Sequence, residues 1–582
     1  MIKVRLNRQT FQYDVHSLVK AFYPRQEVRV DCGGAAGMTE SGLREGDPLT
    51  ACRRDGSLFT DPDGKEAPEA REALKAQKAP EALEASGAPL FELEIWFWLS
   101  GADQSRIDVR LFENSRERLH MENRCRESER IETKNELKRM LYRALCTYSG
   151  KTLPWGDLTG IRPTKIPMSL LNQGMDDDGI AEYMQKTYYI SSEKTALAIE
   201  IANRERSLLK KLKPRRAKGE QQAPDLSFSA REGADAGLPI LPPEEGTRMR
   251  AASFCAGKSE LPDGYSLYIG IPFCPSICLY CSFSSSPIAL WRDQVDSYLD
   301  ALCHEIDCVA AMLPHRHPDA VYIGGGTPTT LEPEQMERLL QKVEEHFDIE
   351  KAHEFTVEAG RPDSITREKL LVLKRHGVTR ISINPQTMNQ ETLDFIGRRH
   401  TTEQTREAFD LARSLGFDNI NMDLIVGLPG EGAAEVERTL QEVIRMDPDD
   451  ITVHSLAVKR AARLRLFSEE HQELSFENSN EIMDMTAAYA RRAGLLPYYL
   501  YRQKNMAGNF ENVGYAKEGR EGLYNILIME EIQSIIALGA GAATKLKCPG
   551  NRIERIENVK DIRQYIDRID EMIERKRKGL YE

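Results

Sequence analysis

The sequence has no long apolar run. Its most apolar stretch, residues 90–99, reads LFELEIWFWL, which is too short to cross a bilayer and carries Glu92 and Glu94. Apolar and acidic residues alternate there, which predicts a half-buried strand. The opening MIKVRLNRQTFQYDV lacks the apolar h-region of an export signal, so a cytoplasmic location is expected. Surplus basic charge is also missing: 79 Lys and Arg face 91 Asp and Glu, a formal net charge of −12. Such a chain has no electrostatic footprint for nucleic acid. Cysteine is sparse, 11 in 582 residues, odd in number and scattered, which argues against a disulfide framework.

At 582 residues the chain is too long for one core, and three or more units are expected. Residues 42–89 are rich in Ala, Glu, Lys and Pro and poor in large apolar side chains, which predicts a mobile insertion. Residues 213–262, with PRRAKGEQQAP and LPPEEGT, predict a linker. These segments leave an N-terminal accessory domain at 1–212, α+β in character. Its residues 130–148 carry Ile131, Leu137, Met140, Leu141 and Leu145 at helical spacing. From 263 to 460 short apolar runs alternate with helical segments. Strands are expected at 266–271, 320–323, 354–358, 380–383, 419–426 and 451–456. Six strands separated by helices predict a parallel sheet with right-handed crossovers, an α/β partial (β/α)6 barrel. Functional groups are then expected at the C-terminal strand ends. Residues 461–582 are expected to form a mainly helical accessory domain, ending in a helix near 556–577.

Three of the cysteines are crowded directly after the first of these strands, in Cys274-Pro-Ser-Ile-Cys278-Leu-Tyr-Cys281. Three thiolates on one compact loop can hold three irons of a [4Fe–4S] cluster and leave the fourth iron open. Zinc competes for such a loop, but a structural zinc takes four ligands, usually from paired C-x2-C units, and no second pair follows. Cysteines buried together by chance are the third reading. Gly324-Gly325-Gly326-Thr327-Pro328 ends the second strand, where glycines allow close backbone approach to a ligand or form a plain turn. Glu358 ends strand three, Asn384-Pro-Gln386 follows strand four, Asp423 lies in strand five and Ala457 follows strand six. A carboxylate in an apolar strand is costly unless it is paired or binds a ligand, so Glu358 and Asp423 are either salt-bridged or functional.

The pattern C-x3-C-x-Y-C after a strand, followed by a β/α series, resembles the radical S-adenosylmethionine (SAM) superfamily. That resemblance implies a [4Fe–4S] cluster on Cys274, Cys278 and Cys281, whose open iron chelates SAM, and a deoxyadenosyl radical made by electron transfer. YIGIPFC (268–274), GGGTPT (324–329), GRRHT (397–401) and NMDLIVGLPGE (421–431) are similar to oxygen-independent coproporphyrinogen III oxidase and its relatives. By this resemblance Tyr268, Gly325, Glu358 and Ala457 touch the cluster-bound SAM. Gly326, Thr327, Gln386, Arg398 and Asp423 line an adjacent SAM site. Tyr280 is the aromatic beside the cluster. The bidentate fork of a guanidinium suits a carboxylate, so Arg398 or Arg162 is expected to bind propionates; Tyr280 and Arg398 are the candidate catalytic residues. HSLVKAFYP (16–24), WGDLTGIRPTK (155–165), NFENVGYAKEGREGLYNILIMEE (509–531) and ALGAGAATK (537–545) look like the HemZ-type branch. Phe283 stands where the better-known enzyme has a fourth cysteine, a feature shared with haem-chaperone relatives. The implied substrate is a porphyrinogen and the implied partner a reductant such as flavodoxin or ferredoxin. The flanking motifs also have plain structural readings: a capped helix entry at Thr159–Pro163, a small-residue turn at Gly539–Ala542 and a core tyrosine at Tyr515.

Overall fold

The computed structural model describes residues 1–24, 26–33, 90–99, 103–126, 128–160, 162–212, 264–283, 285–315, 317–457, 478–503, 510–548, 550 and 552–581. The insertion expected at 42–89 and the linker expected at 213–262 lie outside the described residues. The chain divides into two compact units, one of residues 1–160 with 181–195, the other of 161–180 with 196–582.

In the first unit five strands form one sheet in the order β2-β1-β3-β4-β5. They are β1 (Ile2–Leu6), β2 (Val28–Cys32), β3 (Glu92–Leu99), β4 (Gln104–Glu113) and β5 (Arg116–Arg126). The alternation at 90–99 does form a strand: Leu93, Ile95 and Phe97 point into the core while Glu92 and Glu94 stay half-exposed. Helix Arg130–Ser149 packs Leu137, Met140, Leu141 and Leu145 into that core and stops at Gly150, whose φ of 66° is left-handed. Ile131 is 40% exposed, so the first apolar residue of the predicted stripe precedes the packed face.

The second unit is built on an 11-stranded sheet whose centre is parallel. All six strands expected from sequence are present: β6 (Tyr265–Ile271), β9 (Ala320–Gly325), β10 (Glu354–Gly360), β11 (Arg380–Ile383), β12 (Ile420–Val426) and β13 (Asp450–Ser455). Neighbours among them are parallel. Helices Val295–Met312, Pro333–His346, Arg367–Arg375, Thr402–Ser414 and Ala433–Arg445 connect them. Two short strands, β7 (Phe273–Cys274) and β8 (Ser286–Pro287), pair beside the sheet.

The C-terminal segment adds strands to the expected helices. Besides helices it supplies β14 (Leu496–Tyr501), β15 (Asn512–Ala516), β16 (Ser534–Leu538), β17 (Ala543–Cys548) and β18 (Arg552–Glu557) to the same sheet. β15 pairs antiparallel with β13 at one edge, and β16 pairs parallel with β6 at the other. An open sheet leaves unpaired N–H and C=O groups on its outer strands, and these later strands satisfy them. Sequence periodicity reports an amphipathic helix but not which edge a short strand joins. The last helix is two, Ile562–Asp567 and Ile569–Tyr581. Its buried Lys576 pairs with buried Glu305 at 2.6 Å. Among the described residues no helix is long and apolar enough to cross a membrane.

Candidate active site

The cysteine loop is fixed at several points along its length. Ser286 N–H bonds to the Pro272 carbonyl (2.8 Å) where β7 meets β8, and Cys281 N–H bonds to the Cys278 carbonyl (3.1 Å). Leu279 N–H bonds to the Ile396 carbonyl (3.0 Å), and the Ser276 hydroxyl donates to the Gly397 carbonyl (3.1 Å). The glycine turn packs directly against this loop. Gly326 N–H donates to Ile271 O (2.8 Å) and Thr327 N–H to Phe273 O (2.7 Å). A Cβ on Gly326 would stand 2.8 Å from Ile271 O and closer still to Phe273 O, so only glycine fits. Gly325 has φ +104°, and the space a side chain would need is taken by the Tyr268 hydroxyl.

Cys274, Cys278 and Cys281 are all unbridged; Cys278 is buried and the others half-buried. Burial pushes the Cys274 and Cys281 thiols up, and the charge of the neighbouring cysteines adds to the rise. The Thr327 hydroxyl lies 3.6 Å from the Cys274 sulfur, and Arg361 Nη1 lies 3.8 Å from the Cys278 sulfur. A tetrahedral zinc would draw its thiolates to roughly 3.8 Å apart, whereas a cluster spreads them over three irons. Neighbouring guanidinium groups suit an anionic cluster with thiolate ligands, so the donor set fits [4Fe–4S].

The strand ends bring several expected residues together. The Tyr322 hydroxyl donates to Glu358 Oε1 (2.5 Å), and the Gly325 N–H also supports that carboxylate. Burial outweighs both bonds, and the Asp423 charge adds to it, so the Glu358 carboxyl is pushed up to about 7. Tyr268 and Tyr322 stack at 6.2 Å, and Tyr524 stacks on Tyr322 at 4.5 Å and on Tyr268 at 6.4 Å. Asp423 accepts a bond from Asn421 Nδ2 (2.8 Å) and has His454 Nε2 at 3.8 Å. Burial opposes ionisation of Asp423, but His454, Asn421 and Arg380 together hold its carboxyl below the ordinary value. Gln386 is left-handed, φ +70°, which is strained for a residue with a side chain. Its backbone is held on both sides, N–H to Asp423 O (3.0 Å) and C=O from Ile425 N–H (2.8 Å).

Arg398 is buried at 7% exposure and spans from the fourth strand end to the cysteine loop. Its Nη1 donates to the Asn384 carbonyl (2.5 Å) and its Nη2 to the Tyr280 hydroxyl (3.2 Å). It has no carboxylate partner among the described residues, so a buried cation stands next to the thiols. Ala457 lies two residues past the end of β13 and is half-buried. Arg162 is elsewhere: it pairs with Glu531 (2.5 Å) and donates to the Met529 carbonyl (2.8 Å), and none of its bonds reaches a strand-end residue. Tyr515 is a core residue on β15. Gly539 serves a tight turn, φ +99°, donating its N–H to Glu305 (2.8 Å).

Three groups at the site were not foreseen: Tyr322, Tyr524 and Arg361 with Asp363. Tyr322 and Arg361 sit on or just after predicted strands and carry polar groups where the pattern is apolar or glycine-rich. That signal was available. Tyr524 lies about 200 residues away from Tyr322 in the sequence, inside the 509–531 segment, and nothing in that segment points to Tyr322.

The model of the family "Radical SAM superfamily" matches residues 268–443, the span that holds the cysteine loop and the first five strand ends. The coproporphyrinogen III oxidase HemN of Escherichia coli is a structural neighbour at 25% identity and a TM-score of 0.44, covering 54% of this chain and 70% of that one. The heme chaperone HemW of Bacillus subtilis is 32% identical over 316 residues, 53% of this chain and 76% of that protein. The oxygen-independent coproporphyrinogen-III oxidase-like protein HemZ of Bacillus subtilis is 38% identical over 453 residues, 77% of this chain and 81% of that protein. The chain belongs to the HemZ family within the radical SAM superfamily, whose members use a [4Fe–4S] cluster and SAM.

Proposed function

We propose that this chain converts two propionate side chains of coproporphyrinogen III to vinyl groups, giving protoporphyrinogen IX, in the cytoplasm and with a flavodoxin or ferredoxin as reductant. The observation that carries this reading is the extent of the likeness to HemZ. It runs over 453 residues, far beyond the 268–443 core common to the superfamily. Each vinyl group requires loss of one hydrogen atom from a propionate β-carbon, then of CO2 and one electron. When bound, the cluster and SAM supply one-electron, hydrogen-abstracting chemistry. Cys274, Cys278 and Cys281 would hold three of the irons. Tyr268, Gly325, Glu358 and Ala457 would bind the cluster-bound SAM, and Gly326, Thr327, Gln386, Arg398 and Asp423 the adjacent site. Arg398, buried beside Tyr280 without a carboxylate of its own, suits a propionate by a charge-assisted bond. The chain's remaining task is to position these groups and keep water out.

A second reading, haem delivery to acceptor proteins, is favoured by one feature. Phe283 occupies the position of the fourth cysteine and is 74% exposed, a surface suited to a flat apolar macrocycle rather than to metal ligation. The deciding experiment is anaerobic turnover of the reconstituted full chain with SAM, a reductant and coproporphyrinogen III. Release of CO2 with vinyl product supports decarboxylation. Deoxyadenosine without CO2, together with tight haem binding, supports delivery and refutes decarboxylation.

A further inference from the structure

Arg361 follows the strand that delivers Glu358 and is 3% exposed. Its three nitrogens are divided between two duties. Nε and Nη2 donate to the two oxygens of Asp363, at 3.0 and 2.8 Å. Nη1 points the other way, into the cysteine loop, where it donates to Ser276 Oγ (2.9 Å) and lies 3.4 Å from the Ser276 carbonyl and 3.8 Å from the Cys278 sulfur. The bidentate pair fixes the plane of the guanidinium. It also makes an oriented dipole, with the positive end towards Cys278 and the negative end away from it. Ser276 carries the same contact onward to the Gly397 carbonyl, next to Arg398.

We propose that Arg361, clamped by Asp363, is a positioning residue that fixes the cysteine loop and stabilises the reduced form of the cluster. The inference rests on the reading that Cys278 is an iron ligand. A [4Fe–4S] cluster gains one negative charge on reduction, and its potential follows local charge and hydrogen bonds to its sulfurs. A cation held at 3.8 Å from a ligand sulfur in a buried site acts with little solvent screening and favours the reduced state. Arg398 also bonds to the Cys278 side chain, but its other bonds go to Tyr280 and the Asn384 carbonyl and none of them is to Ser276. Arg361 is the side chain that joins loop position and charge.

The test is a redox titration of the anaerobically reconstituted full-length protein, without SAM or substrate, following the electron paramagnetic resonance of the reduced cluster. At one fixed potential near the wild-type midpoint, Arg361→Gln is expected to lower the ratio of reduced to oxidised cluster at least threefold. For a one-electron couple that is about 28 mV. Arg361→Lys keeps the cation without the fork and is expected to stay within twofold of wild type. A ratio in Arg361→Gln equal to wild type, with the cluster retained, overturns the proposal. If Arg361→Gln loses its iron, Arg361→Lys decides: retention of iron at the wild-type ratio supports the role of the charge. Loss of iron from Arg361→Lys as well assigns Arg361 to loop architecture alone and overturns it. Failure of the underlying reading is seen separately, as iron content unchanged in Cys278→Ser.

Discussion

Glu358→Gln is expected to make the protein more stable at alkaline pH while impairing turnover. The Glu358 carboxyl has its midpoint near 7 in the folded chain, against an ordinary 4.5, chiefly because burial disfavours its charged form. The folded state therefore binds a proton more tightly than the unfolded state does, and stability falls as pH rises from 4.5 through 7. Above that window the full cost of holding the carboxylate in place is about 3 kcal/mol, from 1.36 kcal/mol per decade. Glutamine has the shape of the protonated acid and still accepts the Tyr322 hydroxyl bond, so it escapes that cost. The gain is expected to be about 3 kcal/mol at pH 8 and less than about 1 kcal/mol at pH 5, where the wild-type carboxyl is already mostly protonated when folded. Urea unfolding of apo wild type and variant at the two pH values, under anaerobic conditions, measures it. A variant no more stable than wild type at pH 8, or one with an equal gain at both pH values, refutes the burial account. Loss of at least tenfold in turnover alongside the gain would mark a group kept for chemistry at the expense of stability.

Cys278→Ser is expected to abolish stable cluster assembly, with iron falling from about four per chain to near zero by chemical analysis and the brown absorbance lost. Gly326→Ala places a methyl group against Phe273 O and Ile271 O, backbone atoms that cannot rotate aside. It is expected to destabilise the second unit by about 1–3 kcal/mol in urea unfolding and to lower iron retention, because the same backbone shapes the cysteine loop.

The fold of the core was legible because each of its parallel strands is buried on both faces and reads as a short apolar run between helices with a strong one-sided stripe. Glu358, Asp423 and Gln386 were legible as polar groups at or near such strand ends, whereas Arg398 was marked only by the resemblance of GRRHT (397–401). Other features depend on three dimensions. The left-handed backbone of Gln386 is imposed by its bonds to Asp423 and Ile425 on the next strand, and glutamine carries no signal of it. Arg162 looked like a carboxylate binder by residue type, and it does bind one, but the carboxylate is Glu531 of this chain. The C-terminal strands were missed because edge pairing is a property of the assembled sheet. β14 to β18 are also short, five or six residues each, and the helix Leu523–Glu530 lies among them.

That missed segment changes how the site is understood. Between β15, on one edge strand of the parallel core, and β16, on the other, the chain must cross the open side of the sheet. Helix Leu523–Glu530 makes the crossing. Its start is anchored by Glu354, whose carboxylate accepts the N–H groups of Leu523 and Tyr524, as a helix N-terminus favours. Gly522 passes close under Arg380, which pairs with Asp450 at 2.8 Å, and Tyr498 donates to the same Asp450 oxygen. The helix thereby sets the ring of Tyr524 on Tyr322 and Tyr268, and Tyr322 is the donor to Glu358. The strand-end carboxylate is thus supported from below by a residue outside the 268–443 core. The stacked rings of Tyr524, Tyr322 and Tyr268 pack this helix against the parallel strands. Residues 498–530, among those described, are therefore part of the site's framework rather than an appendage to it.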